Sequence, residues 1–419
     1  MSTRFTWLLG ILILLSIGLL VACGSHFSAS SDGLLLVPSQ DSQVIQTFSF
    51  NLTNGKVSTI NNPPATNGKG SSVVLDPTGA FAYVLVDQNT IATYKVNSNG
   101  TLSPVGKQHF AKASIPIPGV PTPDSVAVVP AALAMASSGK FLFSANRQTT
   151  DSAGRSIPGS VSVFSVGGNA ALSEVSGSPF FAFAPVPGAA AQTDFTALAV
   201  TPTTFPVANA VCSGAAQPPP KAQYLYVTDA LNNEVWEFAV ASSGALGNPP
   251  SHTSAFAADS VPSGVAVDPC GRFVYVANLN AGNISAYTIC TAVTSTCAQS
   301  DGSLTPVSGS PFSAGNGPGP IATDAFGNFL YVVDTLANTI SDYKIGQSSG
   351  ALTPLAPATV ATGTTPVSIA IRSDDSWMFV ANYGSATVSQ YAITPATGVL
   401  NPAGTGITTD NFPWGVAVK

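Results

Sequence analysis

Ionisable side chains are the scarcest material in this chain of 419 residues: only 8% are Asp, Glu, Lys or Arg. Beyond the first 22 residues there are three His (His26, His109, His252), three Glu (Glu174, Glu234, Glu237) and four Arg (Arg147, Arg155, Arg272, Arg372). General acid–base catalysis needs a positioned, tuned pair of such groups, and no local pairing supplies one. Glu234 and Glu237 bracket Trp236 with opposing phases along one strand, which separates them. Walker, dinucleotide-binding and zinc-protease motifs are missing, so the sequence predicts neither a cofactor nor a metal. A net charge of −6 argues against nucleic acid as a partner, because phosphate binding requires a basic surface. Long helical periodicity is absent after residue 22.

What is present is repetition, which is read before any local assignment. The stretch Pro262-Ser263-Gly264-Val265-Ala266-Val267-Asp268-Pro269-Cys270-Gly271-Arg272-Phe273-Val274-Tyr275-Val276-Ala277-Asn278 reads as an apolar strand, a tight turn and a second strand ending in Asn. A third, alternating strand follows at Ile284 to Ile289, and a fourth near Gly302-Ser303-Leu304-Thr305-Pro306. First strands recur at Val73, Leu133, Leu198, Val265, Ile321 and Ile369. Second strands end at Asp87, Asn146, Asp229, Asn278, Asp334 and Asn382, and third strands carry Tyr94, Phe164, Phe238, Tyr287, Tyr343 and Tyr391 at their fourth place. Six units are complete. The N-terminal part supplies second, third and fourth strands at Leu34–Val37, Ile45–Phe50 and Gly55–Ile60, without a first. The C-terminal Pro413–Val418 is a first strand with nothing after it.

Complementary fragments at the two ends predict a closed ring. The fold expected is all-β: a seven-bladed β-propeller of four-stranded antiparallel blades over residues 33–419, whose closing blade joins the C-terminal strand to three N-terminal ones. A linear solenoid competes, but leaves the end fragments unexplained. Blades bury their faces against neighbours, which lets a chain beyond the ~250–300 residues of one core remain a single repeat domain.

Two groups of residues are candidates for a binding rim. The Asx residues closing the second strands, Asp87, Asn146, Asp229, Asn278, Asp334 and Asn382, with the neighbouring Arg147, would ring one face. Equally, their side chains could cap backbone amides in each loop. The second place of the first strands reads Ser71, Ala131, Thr196, Ser263, Gly319, Val367 and Trp414, so one large ring stands among small residues. Trp414 is either a stacking platform at the channel mouth or a plug for the closing blade. Loops that depart from the repeat, at 107–130, 148–159, 205–222 and 291–301, are where a rigid scaffold gains specificity.

Residues 1–22 read as an export signal: Arg4 precedes an apolar run too short to span a bilayer. Leu20-Val21-Ala22-Cys23 resembles a bacterial lipobox, which implies lipidation at Cys23, a flexible tether over residues 23–32, and anchoring in the cell envelope. Gly24 after the cysteine is similar to lipoproteins sent to an outer membrane. A fatty-acid label lost in Cys23→Ser is the expected result, and label retained by that variant would refute it. Four cysteines remain, an even number in an exported chain. The repeat places Cys212 and Cys270 in equivalent turns of adjacent units and Cys290 and Cys297 on one hairpin, so these two pairs are the expected disulfides of three connectivities. A metal site is the alternative, without a Cys-x-x-Cys spacing to support it.

The string Pro-x-Gly/Ser-Val-Ala-Val, Asp-Pro-x-Gly-x-Phe-Val-Tyr-Val-Ala-Asn, Ile-Ser-x-Tyr is similar to YVTN-type and lactonase-like seven-bladed propellers, across residues 31–419. That superfamily contains 6-phosphogluconolactonases, muconate-cyclising enzymes, and many envelope proteins without a known reaction. Its lactonases tend to carry Pro-Arg-His at the start of an inner strand, where this chain has Pro262-Ser263-Gly264 and Pro413-Trp414-Gly415. The sequence reading is therefore a monomeric envelope scaffold that binds a glycan, peptide or protein without catalysis. The alternative is a lactone hydrolase.

Overall fold

The computed structural model describes residues 32–60, 63–87, 89–115, 124–151, 154–182, 192–203, 223–247, 255–291, 297, 301–410 and 412–419. Cys23, residues 1–22 expected to be an export signal, most of the expected tether, Cys212, His26, His252 and the 205–222 insertion lie outside them. Seven antiparallel sheets of four or five strands follow one another around a ring, with two extra two-stranded ribbons. Blade 1 pairs the C-terminal Ala417–Val418 with Asp32–Pro38, then Ile45–Asn51 and Val57–Ile60. Blades 2 to 7 begin with inner strands Gly70–Leu75, Val129–Met135, Phe195–Val200, Pro262–Val267, Pro318–Thr323 and Pro366–Ile371. Their second strands are Phe81–Val86, Phe141–Arg147, Gln223–Asp229, Phe273–Asn278, Phe329–Asp334 and Trp377–Asn382. The third are Thr90–Val96, Ser160–Val166, Glu234–Val240, Asn283–Ile289, Thr339–Ile345 and Thr387–Ile393.

Closure is as the end fragments predict. Ala417 pairs with Leu36 and Val418 with Leu35. Lys419 and Leu34 exchange backbone bonds at 2.9 and 3.2 Å, and Trp414 N–H donates to Pro38 at 3.3 Å.

The second strands of blades 5 to 7 are buried on both faces, and this explains why they read as near-continuous apolar runs, whereas the third strands bury one face more fully than the other and alternate. Their side chains form seven hydrophobic clusters, each shared by two adjacent blades. One of these joins Leu35, Val37, Phe48 and Phe50 of blade 1 to Trp377, Phe379 and Val388 of blade 7. Tyrosines reinforce the interfaces. On third strands, Tyr343 and Tyr391 donate to carbonyls of the preceding blade's outer strand, Ser313 and Ala361, each at 2.6 Å, and Tyr287 does so to Ala257. On second strands, Tyr226, Tyr275 and Tyr331 reach forward to Gly302, Gly350 and Gly398 of the following blade. A buried hydroxyl with its partner in the next blade fixes the rotation between the two.

Outer strands break where the hexapeptide Val-Ser-Gly-Ser-Pro-Phe occurs, at residues 175–180 and 307–312. The interruption would orphan an N–H on the third strand. Ser178 Oγ accepts Val163 N–H at 3.1 Å and Ser310 Oγ accepts Ala286 N–H at 2.9 Å, so the serine replaces the missing carbonyl.

Cys290 and Cys297 are bonded, with Cα atoms 5.3 Å apart, and close the hairpin expected for them. Cys270 is buried and disulfide-bonded; its expected partner, Cys212, is outside the described residues.

Several carboxyls are buried in the interior: Asp324, Asp342, Asp375 and Glu237. Asp342 is 1% exposed and neither of its oxygens has a hydrogen-bond partner. Burial pushes Asp324 and Asp342 up to about 6, Asp375 to about 7 and Glu237 to about 9. Each is raised above its unfolded value, so the fold favours the protonated form. The stabilisation is complete below the ordinary carboxyl range near 4 and is lost as pH rises through 6 to 9. We expect a melting temperature several degrees higher at pH 5 than at pH 8. Asp342→Asn should narrow the difference, and a melting temperature that rises between pH 5 and pH 8 would contradict this account.

Candidate functional site

Inner strands start, and second strands end, on the same face of the ring. That face carries a cavity of about 540 Å³ at the channel mouth, lined by Gln40, Lys69, Ser71, Asp87, Val129, Pro130, Ala131, Arg147, Thr196 and Trp414. Blades 1 to 4 all contribute. The size falls within the ~300–1,000 Å³ typical of small-molecule sites.

Three of the rim candidates meet here: Asp87, Arg147 and Trp414. Asp87 follows the second strand of blade 2 with φ of 51°, a left-handed conformation that Asp tolerates. Its Oδ1 accepts the Lys69 N–H at 2.7 Å, and Gly68 lies so close to Oδ2 that a Cβ there would collide with it. Carboxylate and ammonium-bearing residue are thus locked to adjoining backbone. Arg147 ends the second strand of blade 3; its side chain is 50% exposed and Nη1 meets Asp194 Oδ2 at 3.3 Å. Trp414 is 38% exposed.

The other rim candidates turn inward. Asn146, Asp229, Asn278, Asp334 and Asn382 are fully buried. The asparagines donate to hydroxyls on the adjoining third strand: Asn146 to Ser160 and Ser162, Asn278 to Ser285, and Asn382 to Thr387 and Ser389. The aspartates collect loop amides. Asp229 Oδ1 accepts from Asp194 N–H at 2.9 Å and Leu231 N–H at 3.1 Å, and Asp334 Oδ1 from Gly315 N–H at 3.1 Å. Burial raises the Asp334 carboxyl above its ordinary value, against the lowering effect of its bonds to Ser341, Thr339 and Gly315. These five side chains hold the face's loops, and Asp87, at the edge of the cavity, is the exposed member of the series.

Of the small residues at the second place of the inner strands, Ser71, Ala131 and Thr196 line the cavity. Thr196 Oγ1 also donates to the Pro262 carbonyl of the next blade at 2.9 Å, a link repeated by Ser263 to Pro318 at 3.0 Å. Lys69 and Gln40 were not singled out by the sequence. Lys69 has a signal, since it immediately precedes an inner strand. Gln40 has none, as blade 1 is assembled only by ring closure. His109 lies on the outer strand of blade 2, with Nδ1 2.9 Å from Thr90 Oγ1, away from this cavity.

Two loop departures fall on the same face by topology. Thr149–Thr150 pairs with Ser156–Ile157 directly after Arg147, and Ala113–Ile115 pairs with Asp124–Val126 just before the inner strand of blade 3. The disulfide hairpin connects a third strand to an outer one and so belongs to the opposite face.

The model of the family described as lactonase, 7-bladed beta-propeller, matches residues 294–414. Solved structures share the whole architecture. A provisionally assigned 6-phosphogluconolactonase from Bacteroides fragilis has 20% identity and a TM-score of 0.68, covering 94% of this chain and 100% of its own. A periplasmic gluconolactonase from Pseudomonas aeruginosa has 17% identity and a TM-score of 0.68, covering 93% of this chain and 99% of its own. None of the curated proteins matches in sequence. The chain is a seven-bladed β-propeller, and the stretch similar in sequence to the lactonase family runs from the outer strand of blade 5 through blades 6 and 7.

Proposed function

We propose that the protein is a lactone hydrolase whose site is the cavity at the channel mouth. The observation that carries this reading is the meeting of Lys69, Arg147 and Asp87 around one cavity in a lactonase-like propeller. It favours the hydrolase over a non-catalytic scaffold.

Lactone hydrolysis develops negative charge on the carbonyl oxygen as water adds to the carbonyl carbon. A guanidinium or ammonium fixed near that oxygen stabilises the tetrahedral intermediate more than the neutral substrate. In this reading Arg147 and Lys69 take that role, and the Asp87 carboxylate accepts a proton from the attacking water. The ring C–O bond then breaks, the departing alkoxide takes the proton held by Asp87, and the new carboxyl group releases its own proton to solvent, giving the anion of a hydroxy acid. Its carboxylate remains beside the cations until release. The Arg-His pair missing from the inner strands is thereby replaced, in charge, by residues at the end of one second strand and the start of another blade.

The test is hydrolysis of glucono-1,5-lactone by purified protein, followed by base consumption at constant pH. Saturable turnover above the spontaneous rate is expected. Consumption no faster than buffer, with this lactone and with an acyl lactone, would remove the reading.

A further inference from the structure

Three aromatic rings gather beside the cavity where blade 7 meets blade 1. Trp414, which lines the cavity, meets Tyr383 edge-on at 5.1 Å between centroids, and Phe412 lies against Tyr383 at 4.7 Å with 32° between planes. Phe412 and Trp414 are 37% and 38% exposed, and among the described residues few other large apolar side chains are.

The backbone at Phe412 has φ of 59°. A bulky residue in the left-handed region is an outlier that persists only where its surroundings impose it. Here they do: Gln40 N–H donates to the Phe412 carbonyl at 3.3 Å, and Trp414 N–H donates to Pro38 at 3.3 Å. A ring that served only to seal the closing blade would gain most by turning inward, as Val416 does at 4% exposed. Instead a strained backbone presents Phe412 to solvent, in line with a residue that already belongs to the cavity. The aromatic strip and the polar cavity are thus one surface, apolar at one end and charged at the other.

We propose that the substrate is a lactone bearing a second sugar. This rests on the lactone hydrolase reading and deepens it. The lactone ring occupies the cavity between Lys69, Asp87 and Arg147, and the attached pyranose lies on Trp414, Tyr383 and Phe412. A pyranose has an apolar C–H face and polar hydroxyl edges, so an aromatic strip takes the face while water keeps the edges. A fatty acyl lactone would be served by a closed apolar tunnel, whereas these rings form an open strip.

The experiment compares glucono-1,5-lactone with the β-1,4-linked disaccharide cellobiono-1,5-lactone, using intact protein, Phe412→Ala, Phe412→Tyr and Tyr383→Ala. We expect kcat/KM about tenfold higher for the disaccharide lactone, carried mainly by KM, from one or two ring contacts. Phe412→Ala and Tyr383→Ala should erase that advantage and leave gluconolactone turnover within about twofold, while Phe412→Tyr retains it. Equal kcat/KM for the two lactones, or equal loss on both in Phe412→Ala, overturns the proposal while leaving the hydrolase intact. If neither lactone is turned over, the hydrolase reading fails, and tryptophan fluorescence titrated with cellobionate decides the platform. Quenching that saturates and disappears in Phe412→Ala upholds it, and its absence overturns it.

Discussion

Removing residues 411–419 is expected to unfold the propeller, or to lower its melting temperature by well over ten degrees. The lost segment supplies the inner strand of blade 1, through pairing of Ala417 with Leu36 and of Val418 with Leu35. Backbone bonds from Lys419, Trp414 and Phe412 to Leu34, Pro38 and Gln40 go with it. Four such bonds at ~1 kcal/mol each, with burial of Val416 worth ~2, come to roughly 6 kcal/mol. Small domains hold only ~5–15 kcal/mol in all. The ring converts this local loss into a global one, because blade 1 seals the interface in which Trp377 Nε1 donates to Leu52 at 3.0 Å and Gln390 Nε2 to Gly55 at 3.0 Å. Circular dichroism melts of the two forms check it. A truncated chain that melts with the intact one would mean that the other six interfaces suffice without closure.

Arg147→Ala should lower kcat/KM for lactone hydrolysis about a hundredfold, the lower end of the ~10²–10³ seen when an oxyanion donor is removed. The lower end applies because the guanidinium is 50% exposed and water screens it. Arg147→Lys should recover part of the loss, since charge is kept while the planar fork is not. Stability should barely move: the ion pair with Asp194 is a surface one, worth ~0–1 kcal/mol. Loss of activity at unchanged melting temperature is therefore the signature expected. Turnover within twofold of the intact enzyme would place the oxyanion elsewhere, with Lys69 the next residue to replace.

Glu234 and Glu237 show what linear order can settle, since alternation along a strand already separates them. The repeat did more. Second strands buried on both faces are apolar at most positions, while turns need Gly or Asx at fixed places, so blade number, strand order and the closing blade were all readable along the chain. The pairing of Cys290 with Cys297 was equally local. Most of the site was not. Lys69, Asp87, Arg147 and Trp414 come from three blades and from both ends of the polypeptide, and meet only because the ring closes. Nor could the spacing separate Asp87 from Asp229 and Asp334. All three end second strands, yet the aspartates of blades 4 and 6 are buried under loops that supply amide donors, whereas a left-handed backbone beside Gly68 leaves Asp87 at the rim. Periodicity is set by what each strand buries, and so it is written in the sequence. Which equivalent residue faces the cavity depends on the loops above it, and only the tertiary structure decides that.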